Sequence, residues 1–295
     1  SIQLSKLFYE RFIKNEDITL FSPHEVPELY ETWGTDKFDE VYEAAERKTS
    51  VYKKKINAQI LFMNMLKERA ETGRIYIMNI DHCNTHSSFK DIIRMSNLCQ
   101  EITLPTEPLQ HIDGEGEIAL CILSAINVGK LVYFDDLETL CDLSVRALDE
   151  IIEHQGYPVK AAEISTKSRR SLGIGYIGLA HYLAKTGYNY NEKGAWEAVD
   201  ELTEHFQYYL LKASNQLAKE KGKCEYYDRT KYSDGVLPID TYKKEVDEIV
   251  NRKLSLDWES LRKDIIEHGL RHSTLSAQMP SESSSVVSNA TNGIE

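Results

Sequence analysis

EIALCILSAINV, residues 117–128, is an almost unbroken apolar run that opens on a single acid, Glu117. A short apolar run of this kind predicts a strand buried on both faces, the usual condition of a parallel sheet covered by helices. Downstream, Asp135 and Asp136 are placed to cap a helix whose apolar residues, Leu137, Leu140, Leu143, Leu148, Ile151 and Ile152, recur at helical spacing. A strand followed by a helix defines an α/β unit, and the rest of the chain is consistent with more of the same.

Upstream, Leu4, Leu7, Phe8 and Phe12 predict a short helix, and residues 17–27, ending in FSPHEVP, predict a turn. A longer helix is expected from about Thr49 to Ala70, with Val51, Ile56, Ile60, Phe62, Met63 and Leu66 on its apolar face and Thr72-Gly73 as its stop. RIYIMNI alternates as a strand, with Ile75, Ile77 and Asn79 on one face, DHCNTHSSF reads as a polar loop, and CQEITLP as a short strand. Downstream, SLGIGYIGLAHYLAKTG places small residues ahead of an apolar helix, and a long helix is expected from about Ala195 to Lys221. LPIDTYKKEVDEIV and DWESLRKDIIEHG predict two further helices, STLSAQMP a strand, and PSESSSVVSNAT a turn into a helix. No internal repeat or long linker interrupts residues 1–295, so the chain is read as one domain.

The 295 residues carry a formal charge of -12, with a pI near 5.3. An acidic surface argues against nonspecific nucleic-acid binding, which needs a basic face, so an anionic ligand would need local helix N-termini or buried arginine. No apolar run approaches the roughly 18 residues that span a bilayer, and no signal peptide is recognisable. A cytoplasmic protein without membrane attachment is expected. Cys83, Cys99, Cys121, Cys141 and Cys224 are odd in number and widely spaced, which disfavours both a disulfide framework and a zinc site.

Asn97, Cys99 and Glu101 occupy alternate positions. If that segment is extended, period-two geometry puts an amide, a thiol and a carboxylate on one side: one group to hold a hydroxyl, one for nucleophilic or one-electron chemistry, one to take a proton. Against this, N-x-C-x-E arises readily by chance, and most buried cysteines are small apolar fillers. Cys121 suits core packing equally well, and a redox role for it requires a second thiol with Cα within about 7 Å. Pro280 to Ser285, PSESSS, lies between a strand and a helix pattern. Its backbone amides and hydroxyls at Ser281, Ser283 and Ser284 form a candidate phosphate site, tempered by Glu282, whose charge repels phosphate but also caps helices or accepts a sugar hydroxyl. A plain capping turn explains the same residues.

Other features favour structural roles. Gly173, Gly175 and Gly178 fit G-x-G-x-x-G, yet no convincing strand precedes them and no acidic ribose partner follows, so close helix packing is preferred. His82 and His86 are four apart, as metal ligands on a helix would be, but their polar surroundings point to a loop and to hydrogen bonding; no metal site is expected. Cys141 falls in an apolar helical stripe. Tyr208-Tyr209 fits packing in a long helix better than an electron relay, and Tyr226-Tyr227 remains a candidate for either.

SNLCQEI, GEIALCILSAIN, RRSLGIG, YYLLKASN, STLSAQMPSESSS and SNATNGIE, in this order, resemble the successive core motifs of the class I ribonucleotide reductase large (alpha) subunit. The resemblance covers essentially the whole chain and implies an α/β fold, part of a ten-stranded α/β barrel built from two five-stranded halves, with a finger loop carrying a radical cysteine to its centre. It implies that Cys99 is that cysteine, that its thiyl radical abstracts the 3′ hydrogen of a ribonucleoside diphosphate, that Glu101 takes the 3′ hydroxyl proton, and that Asn97 binds substrate hydroxyls. Cys121 then matches one of two reducing cysteines, and Ser281, Glu282, Ser283 and Ser284 match the turn that binds the substrate diphosphate.

The same resemblance implies no directly bound cofactor, a small (beta) subunit with a metal that generates the radical, re-reduction by thioredoxin or glutaredoxin, and a homodimer of the large subunit. It places ATP and dNTP effectors mainly outside this chain. The second reducing cysteine, the relay tyrosines and the cysteine-bearing tail are also expected beyond its ends. The chain is therefore expected to be an internal fragment, inactive alone, and prone to associate through open sheet edges. An anaerobic glycyl-radical relative would need a glycyl motif that is absent here. A noncatalytic homologue would have no physical reason to keep a thiol beside a carboxylate.

Overall fold

A computed structural model describes residues 1–111 and 114–294. The chain divides into two compact units: residues 1–87 with 92–105, and residues 88–91 with those from Thr106 onward.

The first unit runs β1 (Ile2–Leu4), α1 (Lys6–Lys14), β2 (Asp17–Phe21), α2 (Glu28–Thr32), α3 (Phe38–Arg47), β3 (Lys53–Asn57), α4 (Ala58–Thr72), β4 (Ile77–Asn79) and α5 (Ile80–His86). Ser5 caps α1 by accepting from the Phe8 amide, and Asn15 ends it in the left-handed region at φ 58°. β1 pairs with β4 in parallel, Ile2 opposite Ile77. β2 and β3 pair antiparallel from Asp17 opposite Asn57 to Phe21 opposite Lys53. The core gathers Leu4, Leu7, Phe8, Ile18, Phe38, Tyr42 and Ala58.

Four sequence expectations change in this unit. CQEITLP, residues 99–105, forms no strand, since no neighbouring strand pairs with it. Residues 17–21 form a strand rather than a turn, because DITLF supplies a β-branched, apolar segment and a partner strand satisfies its backbone. The helix expected from Thr49 begins only at Ala58, where the Asn57 side chain accepts from the amides of Gln59 and Ile60; the preceding residues belong to the ladder with β2. DHCNTH is helical rather than a loop, so it does place His82 and His86 one turn apart. After α5, residues 92–105 return to this unit, pinned by Asn84: its Nδ2 donates to the Ile93 carbonyl at 3.0 Å and its Oδ1 accepts from the Ile93 amide at 2.8 Å.

The second unit contains β5 (Ile122–Asn127), α6 (Asp136–His154), α7 (Lys160–Arg169), β6 (Leu172–Ile177), α8 (Leu179–Thr186), α9 (Lys193–Lys221), α10 (Pro238–Thr241), α11 (Trp258–His268) and α12 (Glu282–Ser288). β5 and β6 are parallel, Ile122 opposite Leu172 through Asn127 opposite Ile177. On the other edge of β6, the amides of Leu172 and Ile174 donate to the carbonyls of Thr274 and Leu275 at 3.1 and 2.8 Å, and Ile174 forms a parallel bridge with Ser276. β6 is therefore the middle of the layer, and all six of its residues are buried. Apolar faces of α6, α8, α9 and α11 complete the core through residues such as Leu137, Val145, Leu183, Leu210, Phe206 and Ile265.

The central strand is thus LGIGYI rather than EIALCILSAINV. β5 is shorter than the apolar run suggested, only Ile126 is fully buried in it, and Leu123 is exposed. Its glycines hid β6, since they lower its apolar content while permitting the closest backbone approach. STLSAQMP contributes one bridge rather than a regular strand, and LPIDTYKKEVDEIV yields only the four-residue α10 and a 3₁₀ turn, Lys244–Glu248. Among the described residues every sheet is two-stranded and none closes, as befits part of a barrel. No described helix is long and apolar enough to cross a membrane.

Candidate active site

In the first unit, Asn97 to Gln100 form a turn, with the Gln100 amide donating to the Asn97 carbonyl at 3.3 Å and Gln100 at φ 60°. The alternation argument from an extended chain therefore does not apply: a turn, not a pleat, presents Asn97, Cys99 and Glu101. Leu98 stands at its apex, 85% exposed. The Asn97 side chain supports the turn, its Oδ1 accepting from Ser96 Oγ at 3.3 Å and from the Ile102 amide at 3.4 Å. Ser96 Oγ also donates to the Ile102 carbonyl at 3.0 Å. Cys99 and Glu101 are half-buried, and Glu101 Oε2 is a buried carboxylate oxygen with no hydrogen-bond partner. Buried acceptors are almost always satisfied, so an orphan oxygen at a carboxylate marks a place where a donor can bind.

In the second unit, Cys121 immediately precedes β5, and its sulfur lies against Gly173 of β6. Its approach is anchored four residues earlier. Glu117, buried, takes Arg169 in a two-armed pair, Nε to Oε2 at 2.5 Å and Nη2 to Oε1 at 2.8 Å. Arg169 also reaches Asp91 at 2.8 Å, and Arg229 contacts Asp91 and Glu107, so two guanidiniums are balanced by three carboxylates. Tyr226 lies beneath both, with ring centroid 5.2 Å from the Arg169 carbon and 4.6 Å from that of Arg229. Sequence reasoning missed this cluster; the paired arginines in RRSLGIG, directly before a strand, were the available signal.

The serine turn lies toward the carboxyl end of β6, where open α/β sheets usually place ligands. Ser281 is buried and precedes α12, its amide donating to Asn292 Oδ1 at 2.7 Å. Glu282, Ser283 and Ser284 form the exposed first turn, and the Ser284 hydroxyl donates to the Ser281 carbonyl at 3.2 Å. The helix end is tied down by Lys130 Nζ, which donates to the Ser288 carbonyl at 2.9 Å, and by the Gly178 amide, which donates to the Thr291 carbonyl at 2.8 Å.

The remaining candidates take structural positions. Gly173 and Gly175 sit inside β6, and Gly178, at φ 80°, precedes α8. The rings of His82 and His86 are 5.8 Å apart, but no group of three or more His, Cys, Asp or Glu side chains among the described residues is arranged to hold a metal. Burial, aided by Asp81, raises the Cys83 thiol; burial also raises Cys141 strongly and pushes Cys224 up to about 12. Burial thus works against the thiolate form at all three. Tyr208 packs edge-on against Trp258, centroids 5.3 Å apart, while Tyr227 Oη donates to the carbonyls of Tyr232 and Ile265.

The first unit thus carries a thiol and an orphan carboxylate on a turn, and the second a parallel α/β layer with a further thiol and a serine turn. The family description "Ribonucleotide reductase, barrel domain" matches residues 1–295, and the chain belongs to this family. It is 56% identical over 300 residues to the ribonucleoside-diphosphate reductase subunit alpha of Haemophilus influenzae, covering all of this chain and 40% of that protein. It is 54% identical over 300 residues to ribonucleoside-diphosphate reductase 1 subunit alpha of Escherichia coli and 47% over 302 residues to the subunit alpha of Enterobacteria phage T4, in each case covering all of this chain and 39% of the relative. The chain thus spans about two-fifths of the length of these curated relatives.

Proposed function

We propose that this chain is the catalytic part of a class I ribonucleoside-diphosphate reductase alpha subunit, which reduces ribonucleoside diphosphates to 2′-deoxyribonucleoside diphosphates for DNA synthesis in the cytoplasm. The observation that carries the reading is the buried, unpartnered Glu101 Oε2 two residues along the chain from Cys99, a carboxylate oxygen open to a donor. Family membership and 47–56% identity to named alpha subunits support it.

In this reading a thiyl radical at Cys99 takes the 3′ hydrogen of the ribose, forming an S–H bond and a carbon radical. Glu101 accepts the 3′ hydroxyl proton, and Asn97 holds the substrate hydroxyls. The 2′ hydroxyl departs as water, taking one proton from a reducing thiol. Cys121 and a second cysteine of the longer protein supply two electrons and two protons in all and close into a disulfide. The second thiol hydrogen goes to the 2′ carbon, Glu101 returns its proton to the 3′ oxygen, and Cys99 returns its hydrogen to the 3′ carbon and is a radical again. Ser281, Glu282, Ser283 and Ser284 bind the diphosphate end, chiefly through the exposed residues Glu282 to Ser284, since Asn292 already holds the Ser281 amide.

The radical comes from a metal-containing beta subunit, and thioredoxin or glutaredoxin regenerates the thiols. The alpha subunit works as a homodimer, and ATP and dNTP effectors bind mainly outside these residues. The test is dCDP formation by the complete alpha chain with a radical-generating beta subunit, comparing Cys99→Ser. Loss of reduction with unchanged CDP binding is expected; reduction at the wild-type rate by the serine variant refutes the assignment.

A further inference from the structure

Gly173 lies on the central strand directly opposite Leu123, and its backbone is ordinary strand, so conformation alone would accept alanine. Space would not. A Cβ built there falls 2.6 Å from Cys121 Sγ, 2.6 Å from Leu123 Cδ2 and 3.2 Å from Ala277 Cβ, whereas unstrained carbon contacts need about 3.5–4 Å. The sulfur of Cys121 therefore occupies the volume that a side chain at 173 would fill. Gly175, two residues on and hence on the same face of the strand, gives a contrast: a Cβ there overlaps the backbone carbonyl of Ala277 and lies 3.0 Å from Met279 Sδ. At 175 the obstacle is main chain and cannot yield. At 173 the two nearest obstacles, Cys121 Sγ and Leu123 Cδ2, are ends of side chains that rotate aside, and Ala277 Cβ need give only a few tenths of an ångström, so substitution moves the thiol before it damages the fold.

We propose that Gly173 is the positioning residue of the reducing thiol: by withholding a side chain it lets the Cys121 sulfur rest on β6, in the one orientation from which it closes a disulfide. The inference rests on the reading of Cys121 as a reductant. Disulfide closure tolerates little error, with Cβ atoms about 3.5–4.5 Å apart and a fixed torsion, and a misplacement of about 1 Å in a reacting group costs up to roughly a hundredfold in rate. The chemistry is unchanged: two thiols give up two electrons and two protons to the nucleotide and form one S–S bond.

The experiment uses the complete alpha chain with its beta subunit and CDP, in wild-type, Gly173→Ala and Cys121→Ser forms. Turnover, KM and the dithiol–disulfide potential against a glutathione buffer are measured, the last on the alpha chain alone. For Gly173→Ala, kcat falls roughly ten- to hundredfold and the potential becomes less negative, while KM stays within about twofold of wild type. A packing role alone would leave the potential unmoved. Wild-type kcat and potential in Gly173→Ala overturn the inference. Cys121→Ser that reduces CDP as fast as wild type overturns the underlying reading, and this one with it. Should Gly173→Ala fold poorly, the same change in a Cys121→Ala background must fold better, since the colliding sulfur is gone; failure in both backgrounds also overturns the inference.

Discussion

Arg169 and Glu117 form a buried two-armed ion pair whose side chains are 1% and 4% exposed. It joins the residues just before β6 to those just before Cys121 and β5. Removing Glu117 takes the two-armed partner from the buried Arg169 guanidinium and leaves it the single carboxylate contact to Asp91. Glu117→Ala in the complete chain is expected to cost about 3–5 kcal/mol, read as a lower urea midpoint; a midpoint indistinguishable from wild type would refute this account of the pair.

A second buried network predicts pH dependence. His272 is fully buried, its Nε2 3.2 Å from Asp149 Oδ1 and its Nδ1 2.9 Å from Ser214 Oγ. Burial, reinforced by the charges of Arg170 and Arg271 and opposed by Asp149, pushes its pKa down to about 4. For Asp149, burial acts upward, but the hydrogen bond and charge of His272 and the charge of Arg170 outweigh it and hold the carboxyl below its usual range. The unfolded state, with His near 6.5, binds more protons between these limits. The imidazole's contribution is therefore complete above about pH 6.5 and is lost as pH falls toward 4, by roughly 3 kcal/mol. Protonation of Asp149 in the unfolded chain continues the loss at lower pH. His272→Gln should flatten the fall between pH 6.5 and 4 in denaturation curves, and equal slopes for the two proteins would count against the network.

Glu101→Gln keeps the shape of the turn residue but removes its capacity to take a proton. A loss of roughly 10²–10⁴ in kcat for CDP reduction is expected, with little change in KM. A variant that retains more than a tenth of wild-type kcat would show that the orphan oxygen is not the proton acceptor.

Ser283→Asp adds a second carboxylate beside Glu282 in the exposed first turn of α12. If that turn receives a diphosphate, KM for CDP rises tenfold or more through charge repulsion while kcat changes by less than about threefold. A rise confined to kcat, or none at all, would remove the turn from substrate binding.

The long helices were legible because their period is long and sustained: α6 and α9 appear near their expected positions. What failed had a local cause. β3 is KKKIN, with Ile56 its one apolar residue, so nothing in its own pattern marks it off from α4, and the pairing with β2 is what separates them at Asn57. β6 was concealed by glycines whose value lies in what approaches them, Cys121 at Gly173 and Ala277 at Gly175. For Asn97, Cys99 and Glu101 the alternation argument assumed an extended chain, whereas Gln100 adopts a left-handed turn that spacing does not encode. The buried ion networks lay out of reach, since Asp149 and His272 are 123 positions apart and no local pattern links them.

β6 is completed on its far edge by residues about 102 positions later in the chain, as between Leu172 and Thr274. At typical synthesis rates of about 5–20 residues per second, an all-buried, glycine-softened strand emerges from the ribosome and waits roughly 5–20 s for its second neighbour. Contacts of such long range also close slowly after synthesis. The nascent chain is therefore most vulnerable to misassembly in that interval, and its yield in cells should depend on chaperone supply and elongation speed more than on the stability of the finished protein.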